Sequence, residues 1–236
     1  MPQTSTAVPE PVTRERRSRT EALILFEPAR LALNGWRLVT RRAPIPRNVL
    51  VLPGRGVNDV TTAPLRAYLR SLGHEAHGWG LGVNRGDVDE SVERVRPRLA
   101  ELHERGRQRV VVVGWSLGGL MARGLARLEP DRVSRVITFG TPVIGGAKYT
   151  ALAGAYRALG MDLDEVERDL AERAVLAAHI AITSIYSRFD GVVSWPACID
   201  RVNPQAENIE VLATHIGLGI NHDVWRLVAE RLSRAD

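Results

Sequence analysis

The chain has 236 residues, of which 44% are hydrophobic and 25% charged, with a formal net charge of +5. This length and apolar content suit one globular domain with a sizeable core, and they argue against disorder of the whole chain. The single cysteine, Cys198, excludes an intrachain disulfide and a cysteine-based metal cluster, and its apolar neighbours favour a small core filler over a nucleophile.

The N-terminal segment holds much of the basic excess, in four arginines among Pro, Thr, Ser and Glu: Arg14, Arg16, Arg17 and Arg19. A nucleic-acid surface would interleave such cations with aromatic residues, so we predict a disordered, solvated arm over residues 1–20 and no nucleic-acid partner. The apolar run Ala22–Phe26 is too short for a secretory signal, and no stretch is long enough to span a bilayer. These features predict a cytoplasmic protein without a transmembrane segment.

The rest of the chain alternates short apolar runs with helical patterns. Residues 22–39 predict a helix on the core, with an interfacial lipid-contacting helix as the alternative. Further on, the patterns predict strands at 49–52, 76–79, 110–113, 133–139, 180–186 and 209–212, and helices at 61–72, 88–105, 117–128 and 223–232. Strands separated by helices predict an α/β fold with a mostly parallel sheet of about six strands flanked by helices.

One stretch interrupts this alternation. Residues 147–178 have helical periodicity and no strand pattern, so residues 21–236 are predicted to form a single domain in which 147–178 is a small helical cap over the site. An ordinary crossover made of two helices is the alternative. Because ligands of parallel sheets bind beyond the carboxyl ends of the strands, the functional residues should directly follow strands.

The pattern G-x-S-x-G occurs at Gly114-Trp115-Ser116-Leu117-Gly118, between the β-branched run Val110–Val113 and a predicted helix. This strand-turn-helix context is typical of a nucleophile elbow, in which the glycines allow close backbone approach around a strained serine. The sequence therefore predicts Ser116 as a nucleophile that needs a general base.

Six histidines are available, and His215 is the one in a loop shortly after a predicted strand. His222 is the main rival, but it stands where the last helix begins. Asp190 follows the strand 180–186 and is the expected carboxylate partner of the base, with Asp200 and Asp162 as alternatives. The resulting chain order is Ser, Asp, His. Asp162 is better explained as a helix cap.

An acyl-transfer intermediate also needs backbone N–H donors for its oxyanion. We predict these donors to be the N–H of Leu117 and the N–H of Arg55, in the loop after the first strand. The side chain of Arg55 then has no required role; it is expected to reach solvent, or else to contact an anionic part of the substrate.

Taken together, these residues resemble bacterial lipases and esterases of the α/β-hydrolase superfamily, from about Asn48 to Leu232. The resemblance is strongest at 49–56, 110–120, 185–193 and 214–219, and Phe139-Gly140-Thr141-Pro142 is similar to a step found in many lipases. It implies an α/β-hydrolase fold with a Ser116, Asp190 and His215 triad and an oxyanion hole from Arg55 and Leu117. Pro53 and Trp115 depart from residues common in lipases, which leaves the pocket lining open.

These features predict a serine hydrolase of carboxylic esters that acts on a small-molecule acyl ester without a cofactor or a metal. Trp115, Trp79 and Val192 are the expected substrate-binding residues. A thioesterase, amidase or acyltransferase with the same triad is the alternative, and a non-catalytic ligand-binding protein is a third hypothesis. The sequence leaves open whether the chain forms a homo-oligomer.

Overall fold

The computed structural model describes residues 8–13, Glu27, Leu31, Leu33, Gly35, Leu38 and 41–234. Most of the predicted arm and most of the predicted helix 22–39 lie outside these residues. Within them, the Val12 side chain is buried, and Glu27, Leu31 and Leu33 are helical. No helix in these ranges is long and apolar enough to cross a membrane.

Six strands form one sheet in the order β2-β1-β3-β4-β5-β6, and all neighbouring pairs are parallel. The prediction of a mostly parallel six-stranded sheet is therefore confirmed. The strands are β1 Asn48–Leu52, β2 Glu75–Gly78, β3 Val110–Trp115, β4 Val133–Phe139, β5 Ala181–Tyr186 and β6 Ala206–Glu210.

Three of the four inner strands, β1, β3 and β4, are buried along their whole length. Their apolar side chains point alternately to the two faces of the sheet, and each face has its own core, one around Val51, Val113 and Phe139 and the other around Leu52 and Val112. Continuous β-branched runs such as Val110–Val113 suit this position because both faces are covered by helices.

Within residues 41–234, six α-helices cover the sheet or follow its strands: α1 Asp59–Ser71, α2 Val88–Gly106, α3 Leu117–Leu128, α4 Ala153–Ala158, α5 Leu163–Glu172 and α6 His222–Leu232. Side-chain caps fix several of their starts. Asp162 accepts hydrogen bonds from the N–H groups of Asp164 and Glu165, which confirms its predicted capping role. Short 3-10 turns lie at 130–132, 146–149, 195–198 and 217–220.

The predicted position of the last strand was wrong, and the predicted helical stretch 147–178 is interrupted. The last strand is Ala206–Glu210 rather than 209–212, because this edge strand is only partly buried and its apolar content does not mark it. The stretch 147–178 is not continuously helical. It contains α4 and α5, separated at Gly160, which adopts a positive φ of 84°, and Thr150 forms an isolated antiparallel bridge with Val193.

Candidate active site

Ser116 stands between β3 and α3 with φ 53° and ψ −121°, a conformation that a non-glycine residue rarely adopts. The two glycines of the motif make this turn sterically feasible. A Cβ on Gly114 would collide with the backbone of Gly118, and a Cβ on Gly118 would collide with the carbonyl group of Leu52. The turn leaves Ser116 partly accessible, while the strand before it is buried.

Three predicted residues from separate loops meet at this turn. The Nε2 atom of His215 lies 3.1 Å from the Ser116 Oγ, and its Nδ1 atom lies 2.7 Å from the Oδ2 of Asp190. An ionised carboxylate only accepts hydrogen bonds, so a neutral imidazole in this contact carries its proton on Nδ1. Its Nε2 lone pair then faces the serine hydroxyl, as a general base requires.

Asp190 is fully buried, and its second oxygen is also bonded. The Oδ1 atom accepts hydrogen bonds from the backbone N–H groups of Val192 (2.8 Å) and Val193 (2.7 Å). These donors fix the carboxylate plane and stabilise its negative charge, since a buried carboxylate is costly unless it is hydrogen-bonded. The carboxylate is thereby oriented toward the imidazole.

The loop that carries His215 is held from two sides. The indole Nε1 of Trp115 donates to the His215 carbonyl oxygen at 3.3 Å, and the two rings lie with centroids 6.1 Å apart. From the other side, the buried Glu27 accepts a hydrogen bond from the Thr214 N–H through Oε1 at 3.3 Å. Sequence analysis missed Glu27, although a charged residue in a predicted core-packing helix was a usable signal.

The loop after β1 brings the predicted oxyanion donors close to the nucleophile. A Cβ on Gly54 would lie 3.5 Å from the Ser116 Cβ, so the backbone next to Arg55 runs directly beside the serine. Leu117 is the first residue of α3, and the first N–H groups of a helix have no acceptor within the helix. Both positions therefore suit donation to a developing oxyanion.

Asn84 fixes this loop, and sequence analysis missed it. The residue is fully buried; its Nδ2 donates to the Pro53 carbonyl oxygen at 2.9 Å, and its own carbonyl oxygen accepts from the Gly56 N–H at 2.7 Å. Its N–H also donates to the Val57 carbonyl oxygen at 2.9 Å. A lone asparagine in a glycine-rich segment was the only sequence signal for this role.

Thr141 holds the nucleophile turn from the end of β4. Its Oγ1 donates to the Ser116 carbonyl oxygen at 2.9 Å, and the Ser116 N–H donates to the Phe139 carbonyl oxygen at 2.9 Å. A Cβ on Gly119 would collide with the Thr141 hydroxyl, so these two residues fit together closely. The sequence drew attention to this segment as lipase-like but gave Thr141 no role.

Two of the predicted substrate-binding residues, Trp115 and Trp79, make contacts in the two cores. Trp115 packs on Phe139 in one core. Trp79 lies in the other core, where its Nε1 donates to the Gly82 carbonyl oxygen at 2.9 Å. Both indoles are largely buried in these contacts, and their contact with substrate stays a prediction. Val192 packs in a small apolar cluster beside Asp190, and its contact with substrate stays a prediction.

The alternative histidine and aspartates have other partners. His222 is buried at the start of α6, with its Nε2 3.4 Å from the Oδ2 of the adjacent Asp223. Asp200 forms a buried ion pair with Arg123, whose Nη1 lies 2.7 Å from the Asp200 Oδ2. Cys198 is buried too, and burial, together with the nearby charge of Asp190, raises the pKa of its thiol well above the ordinary value, which opposes a nucleophilic role.

The predicted cap contacts the site on two sides. The Ala151 N–H donates to the Val192 carbonyl oxygen at 2.8 Å, which joins the cap to the loop of Asp190. The Arg55 guanidinium lies 4.6 Å from the centroid of the Tyr156 ring on α4, which joins the cap to the predicted oxyanion loop. The expectation that the Arg55 side chain simply reaches solvent is thus incomplete.

Six parallel strands in this order, flanked by helices and with the serine turn after β3, define an α/β-hydrolase-fold protein. A family model for the α/β-hydrolase fold matches residues 65–172. The match covers somewhat less than half of the chain and, together with the strand order, supports the α/β-hydrolase fold.

Among curated proteins, the pimeloyl-[acyl-carrier protein] methyl ester esterase of Aliivibrio salmonicida (strain LFI1238) is 32% identical over 97 residues. The matched stretch covers 39% of this chain and 34% of that enzyme, so the similarity spans about a third of the length of the relative.

Solved structures share the fold at low sequence identity. Lipase B of Aspergillus fumigatus matches with a TM-score of 0.57 and 18% identity over 80% of this chain, which is 52% of the lipase. The mature Bacillus licheniformis lipase BlEst2 matches with a TM-score of 0.58 and 15% identity, covering 84% of this chain and 96% of the lipase. Identities this low show the fold alone.

Proposed function

We propose that this protein is a serine hydrolase that cleaves carboxylic esters through an acyl-enzyme on Ser116, with His215 as general base and Asp190 as its partner. The observation that carries the proposal is the continuous contact from the Ser116 Oγ through the imidazole to the buried Asp190 carboxylate, at 3.1 Å and 2.7 Å. A serine hydroxyl is a weak nucleophile alone, and this contact supplies the base that activates it.

The acylation step follows from the contacts. His215 Nε2 takes the Ser116 hydroxyl proton as Oγ bonds to the ester carbonyl carbon, and the carbonyl oxygen becomes an oxyanion. The N–H groups of Arg55 and Leu117 stabilise this oxyanion, and Asp190 stabilises the imidazolium. His215 then protonates the departing alkoxide, which leaves the acyl group on Ser116.

Deacylation repeats the sequence with water as nucleophile. His215 takes a proton from water as its oxygen bonds to the acyl carbon, and returns that proton to the Ser116 Oγ as the acid leaves. An ester is the preferred substrate class because the curated relative is named as a methyl ester esterase and the structural neighbours as lipases. A small-molecule acyl ester is the proposed substrate.

The test combines a fluorophosphonate probe, which labels an activated serine, with nitrophenyl esters of increasing acyl length. Wild type should be labelled and should hydrolyse part of the panel, whereas Ser116→Ala and His215→Ala should lose several orders of magnitude in kcat without additivity in the double variant. Ser71→Ala, at an exposed serine on α1, is the matched control and should match wild type. Equal inactivity of wild type and Ser116→Ala would refute the proposal.

A further inference from the structure

The Arg55 side chain is held in a defined place beside the proposed site. Its guanidinium stacks on the ring of Tyr156, which is 9% exposed in the apolar cluster of the cap. Gly86 provides space on another side, since a Cβ there would lie 2.7 Å from the Arg55 Nε. An exposed arginine usually samples many rotamers, so this packing orients the cation before a ligand arrives.

No carboxylate of the described residues neutralises the charge of this guanidinium. Within the part of the chain that the structure describes, no Asp or Glu oxygen lies within 4.0 Å of Arg55, in contrast to Arg123, which is paired with Asp200. Stacking on an aromatic ring orients a guanidinium without cancelling its charge. Burial raises the pKa of the Tyr156 hydroxyl, so that group stays neutral beside the arginine.

The position of this cation relates it to one part of a bound ester. Gly54 lies directly beside Ser116, and Arg55 is the next residue, so its side chain starts one residue away from the nucleophile turn. In the proposed mechanism the leaving alcohol faces His215, which protonates it. The oxyanion faces the backbone N–H of Arg55, so the acyl chain is the remaining substituent, and we place it toward the Arg55 side chain.

We infer, on the basis of the proposed function, that the preferred substrates are esters whose acyl chain ends in a carboxylate, which pairs with the Arg55 guanidinium. Arginine suits this role because its planar fork donates two parallel hydrogen bonds to a carboxylate. The side chain of Arg55 thus determines specificity, while its backbone N–H serves the oxyanion. A neutral acyl chain of the same size gains no such contact.

The experiment compares the nitrophenyl half ester of adipic acid with its terminal carboxamide analogue, which has the same size but no charge. We expect the wild-type kcat/KM to be about tenfold or more higher for the half ester, as one charge-assisted contact provides. Added sodium chloride should lower this ratio, because salt screens an exposed pair. Spontaneous hydrolysis is subtracted in both cases.

The variant Arg55→Gln should bring the ratio close to one. Arg107→Gln removes the same charge from an exposed position at the end of α2 and should keep the wild-type ratio. A wild-type ratio near one, or an Arg55→Gln variant that slows both esters alike and keeps their ratio, would overturn the inference while leaving the proposed function intact. Failure of wild type on both esters and on the fluorophosphonate probe would refute the proposed function, and this inference with it.

Discussion

The hydroxyl of Thr141 offers a test of how the strained serine turn is held. Thr141 is 1% exposed, and its Oγ1 donates to the Ser116 carbonyl oxygen at 2.9 Å. Replacement by valine keeps the shape of the side chain and removes only the donor. Replacement by serine keeps the donor and removes a methyl group, so the pair separates the hydrogen bond from the packing.

The magnitude follows from the contacts of the Ser116 carbonyl group. That oxygen also accepts from the Gly119 N–H at 2.9 Å, so Thr141→Val leaves it with a partner. The net loss is then that of one ordinary hydrogen bond, about 1 kcal/mol. The strained conformation of Ser116 costs about 1–3 kcal/mol. Losing a hydrogen bond of about 1 kcal/mol is therefore enough to let the turn relax part of the time.

The assay measures nitrophenyl ester turnover together with the free energy of unfolding in urea. Thr141→Val should lower kcat about fivefold with KM little changed, because about 1 kcal/mol of positioning is lost in the transition state. Thr141→Ser should recover most of the wild-type kcat even if it is less stable. A Thr141→Val variant with wild-type kcat, or a Thr141→Ser variant as slow as valine, would refute this reasoning.

Three further predictions concern the surroundings of the site. Asn84→Ala should lower kcat more than it raises KM, because it removes the donor to the Pro53 carbonyl oxygen and frees the proposed oxyanion loop. An Asn84→Ala variant with the steady-state kinetics of wild type would contradict this. Asp190→Asn should lower kcat by about 10⁴, as loss of the carboxylate does in serine proteases, with a near-native circular dichroism spectrum. Burial, and then the charge of Arg47, lowers the pKa of His74 in the folded state, so the unfolded chain binds a proton first as the pH falls below about 6.5. The free energy of unfolding should therefore decrease from neutral toward acidic pH, and His74→Gln should reduce that slope; an unchanged slope would exclude this histidine as a source.

The sequence by itself determined the type of fold and the strands that matter. Buried β-branched runs such as Val110–Val113 suit a strand covered on both faces, and helix start signals are local, so α3 has the predicted bounds Leu117–Leu128. The glycines around Ser116 follow from the geometry of the turn. Chain order after successive strands was enough to predict Asp190 and His215 as its neighbours.

Only the tertiary structure decided which side chains hold Ser116, Asp190 and His215 and the loops around them. Glu27, Asn84 and Thr141 act on loops that are distant from them in sequence, through a few hydrogen bonds that leave no periodic pattern. The sequence also did not show that the side chains of Trp115 and Trp79 are buried, because an apolar aromatic residue fits a core as well as a pocket. The position of the Arg55 side chain was also not predictable from the sequence. It lies on the ring of Tyr156 because two distant segments pack together, and local sequence does not encode that packing.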